Sequence, residues 1–166
     1  MSKLIPDFVP PQPSPEFSAM VKEKREAAAT YLIAYAQKLS HRALGERLKA
    51  HGVTVAQWAV LVVLWENDGL SQKELSERVA VETPTLSRTL DRMERVGLVL
   101  RDRNEKDRRI VHVRLTQYGS SLWRDLVPEA EANLAQALNG FNEQEETQLC
   151  GFLKRIISNM CEEKKV

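Results

Sequence analysis

The sequence predicts a mainly α-helical, α+β chain. Long helices at both ends are expected to flank a compact unit of short helices and a β-hairpin. Three observations carry this. Residues 71–96 hold two short amphipathic segments separated by turn residues, residues 98–115 change to a two-residue alternation, and the stretches before 52 and after 116 repeat apolar residues at helical spacing. With 166 residues and 43% hydrophobic content, the chain can bury a substantial core.

Residues 1–15 contain Pro6, Pro10, Pro11, Pro13 and Pro15, which excludes helix and predicts a proline-rich tail. Ser14-Pro15 then opens a helix expected to run to about Lys49 and to stop at His51-Gly52, with Tyr31, Leu32, Tyr35, Leu39, Leu44 and Leu48 along its apolar side. Gly45 weakens it locally. Thr54 and Gln57 form a capping box at the head of the next helix. Trp58, Leu61, Val62, Leu64 and Trp65 make that helix apolar around most of its circumference, so burial is expected. Asn67-Asp68-Gly69 ends it, and Leu70 is positioned to add a short extra strand.

Ser71 and Glu74 have capping-box spacing at the start of a brief helix ending near Val79, and Leu70 with Leu75 supplies its hydrophobic staple. The following helix is expected to take Thr83 as N-cap and Pro84 at its first helical position. Leu86, Leu90 and Met93 make its apolar stripe, flanked by Thr89 and Val96, and Gly97 supplies the left-handed stop. The opposite face carries Pro84, Arg88, Asp91 and Arg95, with Thr85 and Arg92 to one side. Val99, Arg101 and Arg103 then share one side of a strand, Asn104 to Asp107 form a turn, and Ile110 to Leu115 return. Helix, turn, helix and charged hairpin is the order of a winged helix-turn-helix. From 88 to 114, nine Lys/Arg face five Asp/Glu, a local excess of +4 in a chain whose net charge is +1.

Thr116 is expected to cap a helix through Tyr118, Leu122, Trp123, Leu126 and Val127, kinked at Pro128 and ending at Asn139-Gly140. Asn142 with Glu145 caps the last helix, whose Leu149, Phe152, Leu153, Ile156, Ile157 and Met160 exceed what a one-sided helix needs. The spare apolar surface of the first and last helices predicts a homodimer joined through the chain ends. The expected domains are a tail at 1–15, a helical dimerisation region at 16–52 and 116–166, and a winged unit at 53–115.

Phosphate contacts supply affinity for nucleic acid, and an arginine face suits the major groove of duplex DNA. On that ground Thr85, Ser87 and Arg88 are the base-edge candidates, with Pro84 setting their approach. Arg92 and Arg95 are assigned to phosphate or to bracing the wing. Arg103, Asn104, Lys106 and Arg108 or Arg109 are within reach of a narrow minor groove.

The run PTLSRTLDRMERVGLVLR, the Asp-Arg-Arg at 107–109 and the LTQYG at 115–119 resemble the MarR family of bacterial transcriptional regulators. The resemblance covers the chain beyond about residue 15. It implies a homodimer whose winged domains dock on a pseudo-palindromic operator, in a family where many members release DNA in response to a small molecule or an oxidant. It also implies an Asp107–Arg109 pair in the wing, in which Asp107 orients an arginine. A further implication is an effector pocket where the dimer helices meet the DNA-binding unit. Tyr31, Tyr35, His41, Trp58, Trp65 and Trp123 are its candidates, with an aromatic or otherwise apolar ligand.

Other chemistries find little support. There is no glycine-rich phosphate loop, nucleophile elbow or H-E-x-x-H motif, so an enzyme is not expected. His41, His51 and His112 lack partners at metal-ligand spacing, and neither metal nor cofactor is expected. Cys150 and Cys161 are read as buried packing residues, too far apart on one helix to bond to each other. No apolar run reaches membrane-spanning length and no signal-peptide pattern opens the chain, so a cytoplasmic location is expected. Two alternatives stay open: a winged-helix module that binds protein, and a cysteine-based redox sensor of the same fold.

Overall fold

The computed structural model describes residues 14–103 and 110–162, the side chains of Ala27, Arg103 and Glu162 excepted. The expected tail up to residue 13 lies outside them. So does the wing turn with Asn104, Lys106, Asp107, Arg108 and Arg109. The chain divides into two compact units, Met1–Ser40 and His41–Val166.

In the first unit, Ser14 caps α1 (Pro15–Ala27) by accepting the Phe17 N–H at 3.2 Å, with Pro15 at the first helical position. The long first helix expected from the sequence is two helices. Ala28 takes an extended ψ of 121°, its N–H turns back to the Arg25 carbonyl at 3.1 Å, and α2 (Ala29–Lys49) starts afresh. Neither glycine nor proline marks this break. Tyr31 and Tyr35 stack with ring centroids 5.8 Å apart, and the Arg25 guanidinium lies 5.0 Å from the Tyr31 centroid. Phe17, Met20, Val21, Leu32, Ile33 and Leu39 are exposed.

The second unit takes in the C-terminal part of α2, where Leu44 and Leu48 are buried. The Thr54–Gln57 capping box forms as expected and starts α3 (Val55–Glu66), whose Val60, Leu61 and Leu64 are at most 1% exposed. β1 (Leu70–Ser71) leads into α4 (Gln72–Val79), followed by α5 (Thr83–Arg95), β2 (Val99–Arg103) and β3 (Val111–Leu115). The antiparallel sheet has order β1-β3-β2, with Leu70 opposite Val113 and Val99 opposite Leu115. Leu75, Leu86, Leu90, Met93, Leu98, Val99, Val113 and Leu126 close one core with α3. Val96, expected on the flank of the α5 stripe, is the helix's C-cap residue and is 55% exposed.

The Leu-Thr-x-x-Gly run at 115–119 has a local mechanical reason. The Thr116 hydroxyl donates to the Gly97 carbonyl at 2.6 Å and accepts the Gly119 N–H at 2.9 Å, which starts α6 (Gln117–Ser121). A Cβ at Gly119 would collide with the Leu98 carbonyl oxygen, so only glycine lets α6 seat against the end of α5. The single helix expected after Thr116 is interrupted at Leu122 before α7 (Trp123–Ala137), and Pro128 lies inside α7. Asn142 and Glu145 exchange capping bonds of 2.9 and 3.0 Å at the head of α8 (Glu143–Glu162).

The expectation that Cys150 and Cys161 are buried is corrected: both thiols are exposed. They lie on α8, where Phe152, Ile157 and Met160 are exposed as well, so the chain's own described residues leave this helix largely uncovered.

Candidate nucleic-acid interface

The α4–α5 pair is held by short-range chemistry at both ends. At the N-terminus of α4, Ser71 Oγ accepts the Glu74 N–H at 3.2 Å, and Glu74 accepts the Ser71 N–H at 2.9 Å and its hydroxyl at 2.7 Å. The Ser71 hydroxyl, followed by the Ser71 N–H, holds the Glu74 carboxyl below the usual glutamate range. α4 ends where Ala80 adopts the left-handed conformation, φ 56° and ψ 42°, at the turn between the two helices. Ser76 is buried beneath that turn, donates to the Val81 carbonyl at 2.6 Å, and lies 3.3 Å from the Thr83 hydroxyl.

That contact explains a departure from the sequence reading. Thr83 is the first residue of α5 rather than its N-cap. Glu82 occupies the cap position without a side-chain hydrogen bond, and Pro84 sits one position further in. Ser76 has one hydroxyl proton and gives it to Val81, so Thr83 serves as donor to Ser76 across the turn. The far end behaves as expected. Gly97 has φ 72°, its N–H reaches the Glu94 carbonyl at 3.0 Å, and the Leu98 N–H reaches Met93 at 2.9 Å, the paired bonds of a Schellman stop.

Between these ends α5 divides sharply. Leu86, Leu90 and Met93 are at most 1% exposed, whereas Pro84, Thr85, Arg88, Asp91, Arg92 and Arg95 are all exposed. Ser87 is half-buried and sits at the edge of the outward face. Thr89 donates back to the Thr85 carbonyl at 3.2 Å.

A residue that sequence reasoning passed over organises the charge here. Arg101, on β2, reaches Asp91 at 2.7 Å and Glu94 at 2.6 Å, with a second bond from its Nε to Glu94 at 3.0 Å. The hydrogen bond to Glu94 dominates the rise in its pKa, with Asp91 adding to it and burial opposing it. One arginine therefore ties the hairpin to the helix and occupies both acids of α5. Arg88, Arg92 and Arg95 have no acidic partner among the described residues, so the outward face keeps their positive charge. On the opposite strand side, Arg114 and Asp102 make an exposed pair at 3.7 Å.

The effector candidates fall into separate groups. Tyr31 and Tyr35 are the stacked pair of the first unit. In the second, His41 is exposed, while Trp58 and Trp65 meet edge to face with centroids 5.7 Å apart. Trp65 Nε1 donates to the Gly119 carbonyl at 3.1 Å. Trp65 and Trp123 line a cleft of about 660 Å³ with Leu64, Asp68 and Val127, and Trp58 and Trp65 line a second of about 410 Å³. Among the described residues, no group of three or more His, Cys, Asp or Glu is placed to hold a metal ion.

This fold and outward face define a winged helix-turn-helix protein with a cationic second helix. The MarR family model matches residues 53–111, which span α3 to the start of the return strand. The chain is 31% identical over 111 residues to the homoprotocatechuate degradative operon repressor of Escherichia coli, covering 67% of this chain and 75% of that one. It is 40% identical over 94 residues to the HTH-type transcriptional regulator TtmR of Methylorubrum extorquens, covering 57% of this chain but only 47% of that protein. Among solved structures, a MarR transcriptional regulator from Methanosarcina mazei superposes with a TM-score of 0.74 at 25% identity, covering 79% of this chain and 94% of that one. The chain belongs to the MarR family of transcriptional regulators. Those relatives are regulators rather than enzymes, and among the described residues no helix is long and apolar enough to cross a membrane.

Proposed function

We propose that the chain is a sequence-specific repressor, acting in the cytoplasm as a homodimer on a pseudo-palindromic operator and released by a small-molecule effector. The observation that carries the DNA-binding part is the division of α5. Its apolar stripe is sealed in the core, and Arg88, Arg92 and Arg95 stand outward without acidic partners among the described residues. One such helix in each major groove would read two half-sites about one helical turn apart. Thr85, Ser87 and Arg88 face base edges, Pro84 limits their approach, and Arg92 and Arg95 hold phosphate. In the wing, Arg103, Asn104, Lys106 and Arg108 or Arg109 enter the minor groove, and Asp107 orients Arg109. The exposed positive face argues against a protein-binding module, which would need an apolar or acidic surface there.

The dimer is supported by the uncovered stripe of α8. The repressor role is supported by the relative that bears that name. The effector reading is supported by the clefts around Trp58, Trp65 and Trp123, with Tyr31, Tyr35 and His41 as further candidates. A ligand there would act by favouring a half-site spacing that does not match the operator, and a tenfold release needs about 1.4 kcal/mol of differential binding.

The test is fluorescence anisotropy on duplex DNA carrying the gene's own upstream region. Arg88→Ala is expected to cost roughly 1–3 kcal/mol and to relax sequence preference. Unchanged affinity and specificity would reject this face as the reader.

A further inference from the structure

The two clefts of the second unit have an electrostatic character that selects among ligands. Trp58, Val62, Trp65 and Glu66 lie at helical spacing along one face of α3, and Val127, Ala130, Glu131 and Leu134 do the same on α7. Together they line the groove of about 410 Å³. Trp65 and Val127 also line the neighbouring cleft of about 660 Å³, where Trp123 and Asp68 join them. The two spaces therefore share a wall, and both are built entirely from residues after His41.

Among the described residues, every charged residue lining either space is a carboxylate: Glu66 and Glu131 in the groove, Asp68 in the cleft. No Lys, Arg or His lines them among the described residues. Asp68 accepts the Leu115 N–H at 2.8 Å through one oxygen. Glu66 and Glu131 have neither a hydrogen bond nor an ion pair to any described residue. Their charges are thus left over beside two indole rings. The Arg124 guanidinium lies 5.8 Å from the centroid of the Trp123 ring, without lining either space, so an indole of this set already has a cation near it. Aromatic faces and carboxylates attract the same class of ligand, because a ring's negative quadrupole and a carboxylate both favour a poorly hydrated cation. An aromatic carboxylate would instead meet like charges in a lining that holds no cationic side chain among the described residues.

We propose that this site takes a lipophilic cation, an onium or protonated amine with bulky apolar groups, held with its charge between Glu66 and Glu131 and its body on Trp58 and Trp65. This rests on the reading that a small-molecule effector binds at these tryptophans, and it narrows the class of that effector. Trp65 also gives such a ligand a route to the winged unit. Its Nε1 is bonded to the Gly119 carbonyl, and Gly119 packs on the Leu98 backbone at the end of α5.

Tetraphenylphosphonium and tetraphenylborate have nearly the same shape and opposite charge, which isolates the electrostatic choice. Each is titrated into the full-length protein by tryptophan fluorescence and into the protein–operator complex by anisotropy. The expected result is saturable binding of the phosphonium at least about ten times tighter than the borate, with release of DNA. Glu66→Gln/Glu131→Gln is expected to weaken the phosphonium about tenfold and to leave the borate unchanged or tighter. Both glutamates are exposed, and a thermal melt of the double variant checks that it is folded. If the borate binds as well as the phosphonium, or the double variant treats both ions as the native protein does, the charge assignment is overturned. If the borate alone binds and releases DNA, the effector reading stands while the cation proposal falls. If neither ion binds, the cation proposal falls, and the effector reading falls with it only if neutral phenols also fail to bind and to release DNA.

Discussion

Helices α5 and α8 are both amphipathic, and their apolar stripes have opposite fates. In α5, Leu86, Leu90 and Met93 are sealed at 1% exposure or less. In α8, Phe152, Ile157 and Met160 keep 55%, 61% and 72% of their surface in contact with water. A stripe completed within the chain frees the polar face of α5 to act on something outside. A stripe that the chain does not complete makes α8 an interface in waiting, because apolar area left in water forfeits about 25 cal/mol per Å² that a partner could recover. The same class of local pattern thus leaves a polar face outward in one helix and an apolar stripe outward in the other, and the proposed DNA-reading and dimer faces rest on that difference.

The largest expected effect comes from attacking α8. Phe152→Glu/Ile157→Glu places two carboxylates in the uncovered stripe, and the protein should become monomeric by light scattering at micromolar concentration. Operator affinity should then fall roughly 10²–10⁴-fold, because the second half-site is no longer engaged from a tethered position. A variant that stays dimeric would break the comparison by showing that this stripe is not the interface. The matching change in α5 acts differently. Leu90→Ala removes a fully buried side chain and should cost about 2–5 kcal/mol in denaturant unfolding. Molecules that remain folded should stay dimeric, and dissociation at concentrations where the fold is intact would show that the two helices are not independent.

What could be read in the sequence follows the range of each interaction. The capping boxes at Ser71–Glu74 and Thr54–Gln57, the Asn142–Glu145 cap and the Gly97 stop all depend on residues three to five apart, and each forms as expected. The inner and outer faces of α5 were legible because helical periodicity alone separates Leu86, Leu90 and Met93 from Arg88 and Arg95. Thr83 was misplaced by one position because its hydroxyl is used by Ser76, a partner seven residues back across a turn. Ala80 gives no hint of its left-handed conformation, since alanine is neutral in composition and the strain is imposed by the turn. The sequence places Arg101 on one side of a strand with Val99 and Arg103 and adds it to the positive charge, but names no partner for it. Its role depends on the tertiary packing that brings β2 beside Asp91 and Glu94 of α5, and a helix or strand considered alone does not contain that information. The exposure of Cys150 and Cys161 was missed for a related reason: what covers α8 lies outside its own periodicity.

Arg101 also sharpens the picture of α5 as a self-contained element. Arg101→Ala would release Asp91 and Glu94 on a face that otherwise presents arginines, and untie the hairpin from the helix. Asp91 and Glu94 are 49% and 38% exposed, so solvent screening limits the stability loss to about 1 kcal/mol by thermal melting. Operator affinity should drop severalfold, because two freed carboxylates would then stand among the outward arginines of α5. Arg101→Lys should recover little, since a point charge cannot reproduce the forked contact with both acids. Full recovery in the lysine variant would reduce the contact to net charge alone.

The smallest effect concerns pH and discriminates between the two capping boxes of the winged unit. Glu74 has its pKa lowered chiefly by the Ser71 hydroxyl, so the folded state holds its proton more weakly than the unfolded chain does. A depressed carboxyl pKa contributes stability that is fully present above the unfolded value and is lost as pH falls through the folded one. Stability against urea should therefore show a shallow decline below about pH 4.5 that belongs to Glu74, superimposed on the titration of the other carboxylates. The box at Thr54 supplies the control from within the molecule. Gln57 accepts the Thr54 N–H at 2.9 Å with a neutral amide, so the same geometry there has no proton to gain. Glu74→Gln converts the first box into the second, and the difference between the native and variant pH curves should be flat above the ordinary glutamate range and change only below it. Identical curves for the two proteins across the acid range would remove the Ser71–Glu74 pair as the source of that sensitivity.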